Sequence, residues 1–204
     1  MVYEQHKTIY IQVTRTSSNS IHSLLGNEIQ LSLPLTHETY TNVVLNKVAN
    51  GEDVSNYYSF STVRNPYDRF VSAYVFFTNI FPQSTLSFDE SLDRLLNFLP
   101  DWWNNTFTLY RPQWYYICDE NYNILVDDIC RFENLESDWV NIANKINTNN
   151  PNSNISTTLP NLNGSVGRDE WMTYYEGEIG LERINKINTL YERDFDIFNY
   201  TKLN

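Results

Sequence analysis

The stretch FSTVRNPYDRFVSAYVFF, at residues 60–77, decides the fold of this chain. Its first four residues are mostly aromatic or β-branched, which predicts a short strand. Asn65 is a favourable N-cap and Pro66 suits the first helical position, where its missing N–H costs nothing, so a helix is expected to begin there. The stretch therefore predicts a strand, a sharp turn and a helix. The apolar residues that recur at helical spacing and predict the buried face of this helix are Tyr67, Phe70, Val71, Tyr74 and Phe77.

The same order of strand, loop and helix recurs on both sides of this stretch. Residues 8–13 (TIYIQV) predict a strand, and a polar loop then leads into a helix that Gly26 ends. Residues 124–132 (ILVDDICRF) predict another strand, followed by a helix and by a long Asn-, Ser- and Pro-rich surface loop at residues 147–165. Strands that alternate with helices predict an α/β fold around a largely parallel sheet, and the length fits a single domain, residues 1–204.

Three further helices are expected elsewhere in the chain. Residues 40–48 predict a helix with Thr39 as its N-cap, and Ser87 forms a capping box with Glu90 at the start of another. The last helix is expected at about residues 176–194. The residues predicted to lie on the inner side of the helix at residues 40–48 are Val43, Val44, Leu45 and Val48.

Composition and charge exclude several classes of protein. The chain has 14 Lys and Arg residues against 25 Asp and Glu, a net charge of −11 at pH 7, and the resulting field repels bulk nucleic acid and anionic membranes. We therefore expect no nucleic-acid partner and no membrane partner, although a local anion site is compatible with this charge. A hydrophobic content of 41% is enough to form a core and excludes a disordered chain.

Three features predict a cytoplasmic protein. The sequence contains no run of about 18 apolar residues, and its N-terminal residues lack the charged-then-apolar pattern of a signal peptide. Cys118 and Cys130 are too few for a disulfide framework and lack the spacing of metal ligands, which favours two reduced thiols. The sequence indicates no particular oligomeric state.

Two strand–helix junctions carry groups that suit an anionic ligand. Ligands of parallel sheets bind beyond the carboxyl ends of the strands, which is where residues 14–20 and Arg64 are expected. A loop that leads into a helix offers backbone N–H groups and the positive end of the dipole, and Arg15 adds a guanidinium group. This chemistry suits a phosphate or a sulfate group, and an ordinary polar turn with an N-capping Ser or Asn fits the same residues equally well. The pattern GxxxxGK[ST] is absent, which disfavours an ATP or GTP P-loop.

Arg64 follows a buried strand, and its charge therefore needs a partner. That partner is either a carboxylate such as Asp68 or an anion of the ligand. For Arg69 and Asp68, a structural ion pair between the two is the simpler interpretation. We expect the strand to project Arg64 to the open edge of the sheet.

These residues resemble the sulfotransferase superfamily, in its carbohydrate-type, sulfotransferase family 2-like branch, which uses 3′-phosphoadenosine 5′-phosphosulfate (PAPS). Residues 60–74 are similar, almost residue for residue, to the 3′-phosphate motif FTFVRNPYDRLVSAY of that branch. VTRTSSNS at residues 13–20 corresponds to its 5′-phosphosulfate loop of the type IPKTAGTS. Further matches follow in the order of the family: RPQ at residues 111–113, CRFENL at 130–135, LPNLN at 159–163 and DFDIFNY at 194–200.

The resemblance implies a fold, an activity and a donor. The fold is a three-layer α/β/α arrangement with a central, mainly parallel sheet and a P-loop-like phosphosulfate site, and it forms a single sulfotransferase-like domain. The activity is the transfer of a sulfuryl group from PAPS, without a metal ion, to a hydroxyl group of an acceptor. The acceptor implied by the branch is a glycan, and a small hydroxyl compound is the alternative.

The resemblance also implies the roles of individual residues. Arg64 and Ser72 match the arginine and the serine that hold the 3′-phosphate. Arg15 stands where the family usually has a lysine at the leaving oxygen of the phosphosulfate, which makes it a catalytic candidate. His37 matches a frequent histidine and is the candidate general base, since a pKa near 6.5 suits proton transfer from a hydroxyl group. The residues implied to wrap the 5′-phosphate are Thr16, Ser17, Ser18, Asn19 and Ser20, together with Arg15.

The loop departs from the pattern of the family at three positions. Ser18 stands where glycine is usual, Thr14 where proline is usual, and Arg15 where lysine is usual. A serine at a position that needs a positive φ costs energy that glycine avoids. Arginine keeps the charge but does not donate a proton near neutral pH. The alternative function is therefore a non-catalytic nucleotide- or glycan-binding protein on a degenerate sulfotransferase fold.

Two other groups of residues bear on the substrate. A hydrolase with paired carboxylates is disfavoured, because Asp127 and Asp128 are adjacent and face opposite sides of a strand. Four aromatic residues offer ring faces for a sugar, although packing in the core explains aromatic residues at least as well. These residues are Trp102, Trp103, Trp114 and Tyr115.

Overall fold

A computed structural model describes residues 1–26, 37–83, 86–97, 105–160 and 168–204. The strands in this part of the chain are β1 (Val2–Tyr3), β2 (Thr8–Ile11), β3 (Tyr58–Val63) and β4 (Asp128–Arg131). The α-helices are α1 (Ser18–Leu25), α2 (Tyr40–Ala49), α3 (Pro66–Ile80), α4 (Phe88–Asn97), α5 (Trp114–Ile117), α6 (Leu135–Asn149), α7 (Gly180–Leu190) and α8 (Glu192–Ile197). Short 3₁₀ helices are found at Glu4–His6, Asn105–Tyr110, Phe132–Asn134 and Arg168–Tyr175.

The chain divides into two compact units. The first unit comprises Met1–Val63 and Gln113–Gly164, and it contains the four strands with α1, α2, α5 and α6. The second unit comprises Arg64–Pro112 and Ser165–Asn204, and it contains α3, α4, α7 and α8. The boundary between Val63 and Arg64 falls inside the stretch at residues 60–77, between its strand and its helix.

The sheet of the first unit has the strand order β1-β2-β3-β4. Strands β2, β3 and β4 are parallel, and β1 pairs antiparallel with β2. The predicted α/β class with a mainly parallel sheet is therefore confirmed. Because Ile11 pairs with Ser61, the carboxyl ends of β2 and β3 lie side by side at one edge of the sheet. Both junctions singled out in the sequence thus leave the sheet at neighbouring strands.

One face of this sheet packs against two helices. Tyr10, Phe60 and Cys130 lie on three neighbouring strands and are fully buried in one hydrophobic cluster. Helix α1 adds Ile21 and Leu25 to this cluster. Helix α6 adds Trp139, Ile142, Ala143 and Ile146. The loop predicted at residues 147–165 begins later than expected, because α6 continues to Asn149, and its described part also contributes the buried side chain of Ile155.

The predicted inner side of α2 was wrong. Thr39 caps the helix as expected, since its side chain accepts a hydrogen bond from the Asn42 N–H at 3.2 Å. Val43 is buried, but Leu45 and Val48 are each 59% exposed. Residues at four positions so close in sequence spread around more than half of a helix, so they cannot all face the same neighbour.

The second unit is built on the aromatic face of α3. Tyr67, Phe70 and Val71 are buried as predicted, in a hydrophobic cluster that α4 and α7 share. The capping box of α4 is confirmed: the Ser87 N–H donates to Glu90 Oε2 at 2.7 Å, and the Glu90 N–H donates to Ser87 Oγ at 3.2 Å.

The single helix predicted at residues 176–194 was wrong. Helix α7 ends at Leu190 and α8 begins at Glu192, with Tyr191 between them at φ −119° and ψ 26°. The ring of Tyr191 is buried, and its hydroxyl donates to the Tyr110 carbonyl at 2.8 Å. Among the helices of the described residues, none combines the length and the apolar character that a membrane crossing requires.

Candidate functional site

The loop between β2 and α1 makes a sharp turn. Arg15 (φ 64°) and Ser17 (φ 67°) both adopt the left-handed conformation, and α1 begins at the next residue, Ser18. Each left-handed residue other than glycine costs about 1 kcal/mol or more, and such residues cluster at ligand sites. The cost that the sequence predicted at Ser18 therefore falls on its neighbours, because Ser18 itself is helical.

The N-terminus of α1 suits an anion. Its first turn contains no acidic residue, and Ser17, the N-cap residue, makes no side-chain capping bond within the described part of the chain. The first N–H groups of a helix need acceptors, and the helix dipole favours negative charge at this end. The chemistry of this end of α1 therefore fits a phosphate or a sulfate group.

Thr16 holds the loop against the sheet. Its side chain is fully buried, and its Oγ1 donates to the Val13 carbonyl at 2.8 Å and lies 3.1 Å from Thr62 Oγ1. Thr62 in turn lies 2.6 Å from the Tyr10 hydroxyl. The hydroxyl of Thr16 thus contributes to the internal structure of the loop. Of the other predicted loop residues, Ser20 is buried, and Arg15, Ser17, Ser18 and Asn19 are half-buried.

A series of hydrogen-bonded side chains, with Tyr3 and His22 buried and Gln12 and Ser18 half-buried, supports the loop from the side of the sheet. Tyr3 Oη is hydrogen-bonded to His22 Nδ1, His22 Nε2 lies 3.1 Å from Gln12 Oε1, and Gln12 Nε2 donates to Ser18 Oγ at 2.8 Å. Burial, together with the positive charges of the Met1 amino group and of His37, lowers the pKa of His22 to about 4. His22 is therefore neutral at pH 7.

The sequence analysis missed Gln12 and His22. Gln12 was included in the strand pattern TIYIQV, and His22 lies on a short helix with an apolar stripe. The signal that was available is the position of Gln12, which is a polar residue at the carboxyl end of a buried strand, where ligands of parallel sheets bind.

His37 packs against the same stretch of backbone. It is buried, its Nδ1 lies 3.1 Å from the Gln12 carbonyl oxygen, and its ring meets the ring of Tyr116 edge-on at 6.3 Å. A carbonyl oxygen only accepts, so the proton of a neutral His37 is on Nδ1 and the lone pair is on Nε2. A general base at this position needs that tautomer.

In the second unit, Arg64 forms a buried ion pair. Its Nε donates to Asp68 Oδ2 at 2.8 Å and its Nη2 donates to Asp68 Oδ1 at 2.6 Å, with the two side chains only 4% and 6% exposed. This bidentate pair fixes the plane of the guanidinium group. Ser72 is half-buried and lies one turn after Asp68 on α3, so the helical period places both on one face.

Of the two partners that the sequence left open for Arg64, the structure shows the carboxylate of Asp68. Arg69 donates from Nη2 to the Arg111 carbonyl at 2.7 Å and lies over the ring of Tyr191, 5.1 Å from its centroid.

The carboxylates and the aromatic residues that the sequence analysis considered for the substrate each have their own partners or positions. Asp127 accepts from the Ser59 N–H at 2.8 Å, and Asp128 accepts from Lys145 at 2.6 Å, so the two carboxylates serve different partners. Trp114 lies on α5 and its ring meets that of Tyr122 edge-on at 5.0 Å. Tyr115 lies beside it on α5, and Trp102 and Trp103 lie outside the described residues.

Within the described part of the chain, no group of three or more His, Cys, Asp or Glu side chains is placed to hold a metal ion. The expectation that the chemistry needs no metal stays a prediction.

Comparison with known proteins identifies one family. The sequence model of the sulfotransferase family matches residues 1–201, nearly the whole chain. No curated protein and no solved structure matches the chain. The match includes both junctions and the segment with His37.

Proposed function

The chain belongs to the sulfotransferase family, and on that premise we propose that it moves a sulfuryl group from PAPS to a hydroxyl group of an acceptor. The acceptor class that we propose is a carbohydrate, because the motif at residues 60–74 resembles the carbohydrate-type branch. The net charge of −11 favours a neutral or small acceptor over a heavily sulfated polymer, which the protein would repel.

The observation that carries this proposal is the junction between β2 and α1. A parallel strand leads through two left-handed residues into a helix whose first turn has no acid, within a chain that matches the family over residues 1–201. We propose that the 5′-phosphosulfate binds this loop, through the backbone N–H groups and side chains of residues 14–20. Arg15 supplies the positive charge, and Thr16 contributes its backbone N–H, since its hydroxyl donates to Val13.

The 3′-phosphate is proposed to bind at the junction after β3. Arg64 follows this strand directly, and β3 is the parallel neighbour of β2. The bidentate pair with Asp68 uses the Nε–H and one Nη2–H of the five N–H donors that a guanidinium group has. Arg64 and Ser72 together are proposed to bind the phosphate, in a geometry that Asp68 holds.

The proposed roles in the reaction follow from charge and tautomer. PAPS supplies an activated sulfuryl group. His37 Nε2 accepts the proton of the acceptor hydroxyl while the hydroxyl oxygen bonds to sulfur and the bond from sulfur to the 5′-phosphate oxygen breaks. Arg15 and the loop N–H groups stabilise the negative charge on the departing phosphate oxygen. Positioning and electrostatics therefore supply the catalysis, as in phosphoryl transfer.

Four finer expectations belong to the same proposal. The fold is a three-layer, P-loop-like α/β/α arrangement, and one sulfotransferase-like domain spans residues 1–204. The reaction takes place in the cytoplasm, and it uses no metal ion.

The first test is nucleotide binding. We expect adenosine 3′,5′-bisphosphate to raise the melting temperature of the protein far more than ATP does at the same concentration. Arg64→Ala reduces this shift, whereas Arg94→Ala, which removes an exposed arginine from α4, leaves it unchanged. Equal shifts with both nucleotides, or none with the bisphosphate, contradict the proposal.

The second test is transfer. Incubation with PAPS and a panel of neutral and sulfated oligosaccharides is expected to give sulfated products, with the neutral acceptors preferred. A thermal shift by the bisphosphate without transfer to any sugar or small hydroxyl compound supports the alternative, a non-catalytic binding protein on the same fold.

A further inference from the structure

The series of hydrogen bonds from Tyr3 through His22 and Gln12 to Ser18 has a donor-to-acceptor direction. A neutral histidine carries a single N–H, so His22 donates from one ring nitrogen and accepts at the other. With Gln12 Oε1 at 3.1 Å from Nε2, the proton is on Nε2, and Nδ1 accepts from the Tyr3 hydroxyl. The amide of Gln12 then points its Nε2 to Ser18 Oγ at 2.8 Å.

This direction decides what Ser18 can do. Ser18 Oγ accepts the hydrogen bond from Gln12, so its own proton is directed to an acceptor other than Gln12. If the chain ran the other way, Ser18 would donate to the Gln12 carbonyl oxygen and would turn a lone pair outward. Ser18 is therefore a donor toward the ligand in the first direction and an acceptor in the second. A phosphate oxygen, which only accepts, can bond to Ser18 only in the first direction.

We propose that Gln12 and His22 are positioning residues that hold the Ser18 hydroxyl as a hydrogen-bond donor to the 5′-phosphosulfate, an inference that rests on the proposed function. Gln12 contacts both parts of the proposed site in the first unit. Its side chain binds Ser18, and its backbone carbonyl accepts from His37 Nδ1 at 3.1 Å. Gln12, the residue that follows β2, thus orients the Ser18 hydroxyl as a donor and also fixes the tautomer of His37, the candidate base.

The direction of these hydrogen bonds can be measured without any ligand. The protein has three histidines, and correlation of the ring protons with the ring ¹⁵N nuclei distinguishes their tautomers. We expect His22 to be neutral at pH 7 with its proton on Nε2, assigned by the loss of its signals in His22→Gln. A proton on Nδ1 overturns the inference and leaves the proposed function intact.

The consequence for binding is tested by a double-mutant cycle. Gln12→Ala is expected to weaken the binding of adenosine 3′,5′-bisphosphate, measured by calorimetry, by about threefold to tenfold, which is the range of one hydrogen bond. In a Ser18→Ala background the same change is expected to have less than about a twofold effect, because the group that it orients is gone. The matched control is Gln5→Ala, since Gln5 also contacts a histidine, His6 at 2.7 Å, away from the loop.

The outcomes of this cycle separate the two proposals. Equal weakening by Gln12→Ala in both backgrounds means that Gln12 acts only on the stability of the unit, and it overturns the inference alone. No binding of the bisphosphate by the wild type overturns the proposed function, and the inference with it. Weakening confined to the background that retains Ser18 supports both.

A conservative variant tests His22. His22→Gln keeps an N–H₂ group near the position of the ring Nε2 and can still donate to Gln12, whereas His22→Leu cannot. We expect the affinity of His22→Gln to lie within about twofold of the wild type and that of His22→Leu to fall as in Gln12→Ala. Equal loss in the two variants overturns the role of His22 as a hydrogen-bond donor.

Discussion

The two strand–helix junctions of this chain reach helix N-termini in different ways. At the junction after β3, the side chain of Asn65 accepts from the Tyr67 N–H at 3.0 Å, Pro66 occupies the first turn, and Arg64 is already paired with Asp68. At the junction after β2, the N-cap Ser17 makes no side-chain capping bond within the described residues and has a positive φ.

The difference indicates that the two junctions have different roles. At the junction after β3, the Tyr67 N–H and the Arg64 guanidinium group have partners within the protein, so its geometry is expected to exist before a ligand binds. The junction after β2 has two residues with a positive φ and no side-chain capping bond from Ser17 within the described residues, and Gln12 and Thr16 support it from the side of the sheet. We therefore expect the junction after β3 to determine the stability of the protein and its affinity for the donor. We expect the junction after β2 to determine the rate of the chemical step.

The largest expected effect tests this division through turnover. His37→Ala is expected to lower kcat by about 100-fold to 10,000-fold, because a general base is lost, with little change in the affinity for adenosine 3′,5′-bisphosphate. Arg64→Ala is expected to act in the opposite sense and to weaken that affinity by about 10-fold to 100-fold, through loss of charge-assisted hydrogen bonds. Steady-state kinetics and calorimetry on the two variants measure both quantities.

Circular dichroism provides the control, since each variant must keep the fold of the wild type. Unchanged turnover in His37→Ala removes this residue from the mechanism. An effect of Arg64→Ala on kcat that exceeds its effect on affinity contradicts the division between the junctions.

The next effect concerns the stability of the junction after β3. Asp68→Ala leaves the Arg64 guanidinium, 4% exposed, without its carboxylate, and is expected to lower the free energy of unfolding by about 3–5 kcal/mol. The matched control is Asp89→Ala, which removes the carboxylate paired with Arg183 at a more exposed position, 16% and 40%, and should cost under about 1 kcal/mol. Urea denaturation measures both.

Apolar replacement of the whole pair sharpens this test. Arg64→Met with Asp68→Leu is expected to be more stable than Asp68→Ala alone, because no charge stays buried without a partner. If Asp68→Ala lowers the free energy of unfolding no more than Asp89→Ala does, then the ion pair of Arg64 does not stabilise the junction after β3. The proposed difference between the two junctions is then wrong.

The parts of the fold that the sequence predicts are those set by residues close in sequence. Asn65 and Pro66 start α3, Gly26 ends α1 with φ 87°, and Ser87 pairs with a residue three positions away. Each of these features depends on one turn of helix, so a local pattern is sufficient to identify it.

The remaining features depend on which strands are neighbours. The hydrogen bond between Tyr3 and His22 joins residues 19 apart, and it forms because β1 pairs with β2, a pairing of two residues that no periodicity indicates. The support of the loop by Gln12 therefore needed the structure. The family motifs predicted the loop at residues 14–20 but not Gln12 and His22, which support it.

The support of the loop should make stability depend on pH. Burial and two nearby positive charges lower the pKa of His22 from its ordinary value of 6.5 to about 4. Between these values the unfolded chain binds a proton that the folded chain does not, so the stability falls as the pH falls from 6.5 to 4, by about 3 kcal/mol in total. The groups that face His22 are the Tyr3 hydroxyl, the Tyr10 ring, the Met1 amino group and His37.

Urea denaturation of the wild type and of His22→Gln at pH 7 and pH 4.5 measures this dependence. The wild type is expected to lose more stability between these pH values than His22→Gln does. Burial lowers the pKa of His6 as well, but this contribution is common to both proteins and cancels in the difference. Equal losses in the two proteins mean that His22 titrates normally and is not buried as a neutral group.

The smallest effect compares the two N-caps directly. Asn65→Ala removes a side chain that accepts from the Tyr67 N–H and is expected to lower the free energy of unfolding by about 1 kcal/mol. Ser17→Ala removes no side-chain capping bond and should cost under about 0.5 kcal/mol, while Ser17→Gly relieves the strain at φ 67° and should be neutral or stabilising. Urea denaturation without ligand gives all three values. Because Ser17 makes no side-chain capping bond within the described residues, the two costs are expected to differ. A cost of Ser17→Ala equal to that of Asn65→Ala would mean that the Ser17 side chain caps α1, and it would contradict the proposed binding of an anion at this helix end.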